Sequence, residues 1–119
     1  MADCRQWVLL ADAEIDTLAW LQSVDRPQRA LAVASPRRLV PGYRVRVPRR
    51  EIEPLRLERL GDAELLLILA KGDRSVTLNL KAPLVINLSC RLGRQVVVEN
   101  DYPVQYELGG AYEVLRKSA

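Results

Sequence analysis

Residues 76–99 read VTLNLKAPLVINLSCRLGRQVVVE, and this stretch decides the fold class. Val76, Leu78 and Leu80 alternate with Thr77 and Asn79, which is the two-residue period of a half-buried strand. Ala82-Pro83 interrupts, because proline cannot donate to a ladder. Leu84 to Leu88 and Arg94 to Glu99 then form two further strand-length runs around a turn at Arg91-Leu-Gly93. Three short strands in 24 residues leave no room for crossover helices.

The flanks repeat the pattern. Upstream, Ala63 to Ala70 (AELLLILA) is leucine-rich but short, and it reads as a buried strand ahead of a turn at Lys71-Gly-Asp-Arg74. Tyr43-Arg-Val-Arg-Val47 alternates cleanly, with its arginines on one face. Thr17 to Val24 and Ala30 to Ala34 form a strand pair across Asp25-Arg-Pro27, and Arg5 to Ala11 is a strand ahead of them. Ser35 to Gly42 holds two prolines and a glycine, so it is a loop or one helical turn. A single short helix is expected at Pro54 to Leu60, with Gly61 as its left-handed stop. Asp101-Tyr-Pro103 is a short extended piece, and a polar tail follows Gly109-Gly110. The expectation is an all-β, barrel-like domain of short antiparallel strands with one short helix, a single domain spanning 1–119.

Composition narrows the function. Nearly half of the 119 residues are apolar, enough for a core without a metal or disulfide staple. Cys4 and Cys90 match no metal or redox spacing and read as small buried hydrophobes. Histidine is absent, which removes the commonest general base and metal ligand. There is no nucleophile elbow and no phosphate loop, so neither an enzyme nor a cofactor is expected. No apolar run reaches membrane length, and Asp3 and the short run at Trp7 to Ala11 argue against a signal peptide, so the expected location is the cytoplasm.

Net charge is +3, and all but three of the 18 basic residues are arginines. Arg37, Arg38, Arg44, Arg46, Arg49 and Arg50 cluster in sequence. They read first as a solvated face. The alternative is a small basic β-barrel that binds RNA through them, although Tyr43 alone offers a base a stacking surface nearby.

Three blocks carry a family resemblance. The first is Trp20-Leu-Gln-Ser-Val-Asp25 with Pro27, Ala30-Leu31 and the Ser35-Pro36 to Pro41-Gly-Tyr43 loop. The second is Leu60-Gly61 followed by Leu65 to Ala70. The third and most specific is Leu78-Asn-Leu-Lys-Ala-Pro-Leu-Val-Ile-Asn87, continuing through Arg91, Gly93-Arg-Gln95, Val96 to Val98 and Tyr102. In this order and spacing, over about residues 7–103, they resemble the flagellar assembly factor family FliW. The resemblance implies a bacterial cytoplasmic protein with two protein partners. One is flagellin, bound before export. The other is CsrA, the dimeric RNA-binding repressor of flagellin translation, antagonised away from its RNA surface.

Two departures bear on that expectation. The family usually has one or two further N-terminal strands and a Gly-Phe turn, so here either the start is truncated or the barrel has an open edge. An open edge would invite a homodimer or an added partner strand. Family members are also commonly acidic, whereas this chain is basic.

The candidate partner-binding residues are Tyr43, Asn79, Ala82, Pro83, Asn87 and Tyr102. The tyrosines lie beside proline or glycine turns and give large area at modest entropy cost. Asn79 and Asn87 fall in strand-like segments that disfavour asparagine, so each presents its amide to a partner or satisfies a turn or bulge. Gln22 and Gln95 are expected to point outward, and Trp7 and Trp20 to fill a core that has no phenylalanine.

Overall fold

The apolar run at 63–70 becomes the strand on which the sheet is assembled. The computed structural model describes residues 6–71 and 75–109. Its strands are β1 (Trp7–Ala11), β2 (Leu18–Ser23), β3 (Ala30–Ala34), β4 (Glu64–Lys71), β5 (Val76–Leu78), β6 (Leu84–Asn87), β7 (Leu92–Gln95) and β8 (Tyr106–Glu107). All pairings are antiparallel. β4 pairs with β6 through Glu64–Leu66, with β3 through Leu67 and Ile68, and with β5 through Leu69–Lys71. β6 and β5 therefore succeed one another along β4, and the sheet forks there. One branch runs β1-β2-β3-β4-β6-β7, and the other continues from β4 to β5 and β8.

The all-β expectation holds, and barrel-like holds loosely. Among the described residues no ladder joins β1 to β7 or β8, so the sheet curls without closing. β3 spans the residues expected, β1, β2 and β4 nearly so, and β8 is an addition the sequence reading lacked. The Lys71–Arg74 turn, the tail from Gly110, Cys4 and the start of the Arg5 strand lie wholly or partly outside the described residues.

Alternation along β4 divides the core. Leu67 joins Ala34, Leu39, Leu78, Leu80 and Leu108 in one buried cluster. Leu65 packs on the same face against a second cluster of Leu55, Val85 and Val96. Leu66 faces the other way, with Val33 and Leu84. Single turns cover the first face. Helix α1 (Pro36–Leu39) buries Leu39, with Ser35 Oγ accepting from the Arg37 amide at its N-terminus. Helix α2 (Arg49–Ile52) runs into a 3₁₀ turn at Glu53–Leu55 that buries Leu55.

Four local expectations are corrected. The helix precedes its expected place at 54–60: Pro54 does start a turn, but Arg56 at φ 59° takes the left-handed stop, and Gly61 lies within a second 3₁₀ turn, Leu60–Asp62. Tyr43–Val47 alternates as read but is no ladder strand, because side chains from residues 100 and 102 satisfy its amides. Cys90 is exposed, since it occupies the turn between β6 and β7. Trp20 is 38% exposed and Trp7 half-buried, and neither belongs to a buried cluster of the described residues.

Two side-chain devices hold chain reversals. Asp12 closes the β1–β2 connection: Oδ2 accepts the Glu14 and Ile15 amides and Oδ1 accepts Trp20 Nε1 at 3.0 Å. The Trp20 bond and then those two amides hold this carboxyl below its ordinary 3.8. A depressed pKa makes its contribution present above pH 3.8 and lost as pH falls through the lowered value. Trp20 emission should therefore change on acidification below that point, and Asp12→Asn should flatten this limb of the titration. Asn87 works deeper. Its Nδ2 donates to Leu55 O at 2.9 Å and to Arg56 O, while Oδ1 accepts the Ser89 and Cys90 amides. Asn87→Ala leaves buried groups unsatisfied, so it should cost about 2–3 kcal/mol. Thermal melting should show a Tm drop on the order of 10 °C.

Candidate functional site

The structure gathers five of the six candidate residues and sets Asn87 apart. Tyr43 and Tyr102 stack at 5.0 Å between ring centroids, tilted by 36°. Tyr43 Oη donates to Leu80 O at 2.7 Å, and Tyr102 Oη donates to Arg44 O at 2.9 Å. Asn79 Oδ1 accepts the Lys81 and Ala82 amides, a turn that carries the chain into Pro83. Ala82 O in turn accepts Gln95 Nε2. The Arg46 amide donates to Asn100 Oδ1, the Glu99 amide to Arg46 O, and Lys81 Nζ to Asn100 O. Segments 43–47, 79–83 and 96–103 are thereby knotted together.

This knot is internal. Tyr43, Asn79, Ala82 and Tyr102 are half-buried, and Pro83 is buried. Asn87 is buried at the far end of β6, with its amide engaged within the chain. Desolvation, and then the adjoining Tyr102 phenol, push the Tyr43 phenol above its ordinary value of 10. The fold thus favours neutral Tyr43, and that contribution is full below pH 10 and lost as pH rises beyond it. The arginine cluster is exposed in three pairs, on α1, on the 43–47 strap and on α2. Arg38 approaches Asp16 at 3.8 Å. Tyr43, the aromatic beside the cluster, has its hydroxyl turned to Leu80.

A second feature escaped the sequence reading. On the sheet face that buries Leu66, Val33 and Leu84, a groove of about 730 Å³ opens between β1–β2 and β6–β7. Trp7 and Leu9 of β1 and Leu21 of β2 form one wall, and Leu84 and Ile86 of β6 form the floor. Arg91, Gly93 and Gln95 line the opposite side. A Cβ at Gly93 would come within 3.2 Å of Ile86 Cγ1, so a side chain there needs Ile86 to shift by a few tenths of an ångström. Arg94 is paired with Glu51 at 3.2 Å. Arg91, at φ 56°, has no ion pair or side-chain hydrogen bond among the described residues. The available signal was Trp7–Ala11 itself, WVLLA, a strand with no polar residue on either face. Val8, Leu9 and Leu10 are 43–48% exposed.

No group of three or more histidine, cysteine or acidic residues among those described could hold a metal ion. No helix among them is long and apolar enough to cross a membrane. Fold and site together define an open antiparallel β-domain whose distinctive surface is an apolar groove.

The FliW protein family model matches residues 1–108, and the chain belongs to that family. A flagellar assembly factor FliW from Bdellovibrio bacteriovorus is 35% identical over 102 residues, covering 84% of this chain and 58% of the relative. Another from Thermoanaerobacter pseudethanolicus is 30% identical over 118 residues, covering 92% and 79%. A crystal structure of the flagellar assembly factor FliW superposes with a TM-score of 0.81 at 32% identity, covering 89% of this chain and 76% of that one. The chain spans 58% and 61% of the length of its Bdellovibrio and Geotalea uraniireducens relatives.

Tyr43→Phe removes the donor to the carbonyl of buried Leu80 and should lower unfolding free energy by about 1–2 kcal/mol. Tyr102→Phe, whose hydroxyl serves the exposed Arg44, should cost less than about 1 kcal/mol. Denaturant unfolding at pH 7 and above pH 10 checks both, because the alkaline loss should shrink in Tyr43→Phe.

Proposed function

We propose that this chain is a flagellar assembly factor that works in the cytoplasm by reversible protein binding, with flagellin and the repressor CsrA as its two partners. Its membership of the FliW family, at 32% identity and a TM-score of 0.81 to a solved FliW, carries this reading. Flagellin occupies the protein until secretion depletes it. The freed protein then binds CsrA away from the RNA surface and lifts repression of flagellin synthesis. No bond is made or broken, so the function lies in association, dissociation and competition. The partner surface includes the segment Ala82–Asn87, which contributes Leu84 and Ile86 to the groove floor, together with the loop at Tyr43. A net charge of +3 gives no overall repulsion of phosphate, which favours antagonism through CsrA's conformation over electrostatic displacement of RNA.

Isothermal titration against flagellin and, separately, CsrA from the same organism at two salt concentrations tests the proposal. The expected outcome is saturable one-to-one binding to each, mutual competition, and weak salt dependence. Silence with both proteins, or binding that falls steeply on a log–log salt plot and transfers to RNA, would refute it.

A further inference from the structure

A second depression lies at the opposite end of β1 and β2 from Trp7, and the strand registers show how it arises. Ala11 pairs with Ala19 and Ala19 with Val33, so these three form one cross-strand row. Two residues along, on the same face, the row is Leu9, Leu21 and Leu31. The sheet surface therefore steps down where leucines give way to alanines. Leu66 of β4 completes the floor, and the recess measures about 480 Å³. It is a property of the pleated face and needs no free backbone edge.

The far wall is charged, with Asp16, Arg37 and Arg38 standing at it. Arg38 approaches Asp16 at 3.8 Å, and both side chains are largely exposed. Those two charges offset each other. Arg37 has no ion pair or side-chain hydrogen bond among the described residues. Ser35 Oγ accepts from the Arg37 amide and fixes the turn that holds this residue in place. The recess thus joins an apolar floor to one uncompensated guanidinium, a group that takes a carboxylate in forked geometry. Asp16 beside it disfavours a doubly charged phosphate more than a singly charged carboxylate. No aromatic ring among the described residues lines the recess for a base to stack on, so RNA fits poorly. By strand spacings of roughly 3.3, 4.8 and 10 Å, one residue of chain fills about 160 Å³. The space therefore takes about three residues.

We propose that this recess receives a large apolar side chain of a partner protein, with a neighbouring carboxylate of that partner set against Arg37. Helix α1 leads directly into the loop at Tyr43, whose amide bonds Val40 O, so the recess is continuous in the chain with the surface proposed above. The inference deepens the protein-binding reading and rests on it. The apolar side chain supplies most of the affinity and Arg37 the selectivity, which keeps the salt dependence weak.

The probe is a hexapeptide carrying phenylalanine followed by aspartate in a serine–glycine background. Its controls replace the phenylalanine by alanine or the aspartate by lysine. Titrated into the isotope-labelled chain and followed by NMR, the parent peptide should give saturable amide shifts centred on Ala19, Ala34, Ser35 and Arg37. Each control should bind at least about fivefold more weakly. Arg37→Glu should reverse the order of the aspartate and lysine peptides. Ala11→Leu extends the leucine row over the recess and should abolish the shifts. Should that variant fail to fold, Arg37→Glu changes an exposed side chain and still decides the matter.

Equal binding of the three peptides, shifts centred elsewhere, or no shift at millimolar peptide would overturn the inference. So would a concentration-dependent dimer in sedimentation that Ala11→Leu dissociates, since the occupant would then be a second copy. Binding of single-stranded RNA that Arg37→Glu removes and the peptide does not compete for would assign the arginine to nucleic acid instead. If Arg37→Glu and Ala11→Leu bind flagellin and CsrA as the unmodified chain does, the recess inference fails and the functional reading stands. If the unmodified chain binds neither protein, the functional reading fails, and the peptides judge the recess independently.

Discussion

The architecture depends on β4 pairing along both of its edges and serving three partners in eight residues. Its two faces also serve separate apolar clusters, Leu65 and Leu67 on one side and Leu66 on the other, which is why AELLLILA carries apolar residues on both sides of its pleat. A one-residue slip would exchange Leu65, Leu67 and Leu69 with Leu66 and Ile68. Because both faces are apolar, hydrophobicity alone would not penalise that slip. Register must come from the partners: Asn79 and Asn87 fix the turns that deliver β5 and β6, and β3 meets β4 through just two residue pairs.

Side chains substitute for ladders where the sheet ends. The strap at 43–47 runs extended beside residues 99–102, yet Asn100 Oδ1 and Tyr102 Oη satisfy two of its amides. A side-chain acceptor tolerates misalignment that a ladder does not, so the strap can leave the plane of the sheet and still bury Tyr43 against Leu80. The same economy appears at Asn87, whose single amide joins the β6–β7 turn to the left-handed Arg56.

Local features were legible in the sequence, and features made by distant pairing were not. Two-residue alternation located Val76–Leu78 because its faces differ in polarity, and Ala30–Ala34 was legible as a short apolar run beyond the turn at Pro27. Alternation at Tyr43–Val47 identified the inward side chains correctly, but the missing ladder depends on Asn100 and Tyr102, more than fifty residues away. The helix stop moved to Arg56 because a distant Asn87 holds its carbonyl, whereas Gly61 advertised a freedom the chain does not use there. Trp20 was expected in a core for its size, yet its indole is held at the surface by Asp12. The candidate residues chosen for their types form the knot at Tyr43 and Tyr102, while the groove, built from two strand edges 80 residues apart, left its trace only in the uncharged run at Trp7–Ala11.

The knot also orders events in time. The tie from Arg44 to Tyr102 spans 58 residues, and β5 is flanked by β8 only once Tyr106 and Glu107 are made. Closing loops of that length is slow compared with forming neighbouring hairpins. On the ribosome, the β1–β2–β3 meander can assemble early, whereas the cluster around Leu67, Leu80 and Leu108 waits for nearly the whole described chain to emerge. A nascent chain halted before Tyr102 therefore shows bare leucines to its surroundings, and β8, the last strand among the described residues, acts as the clasp that ends this exposure.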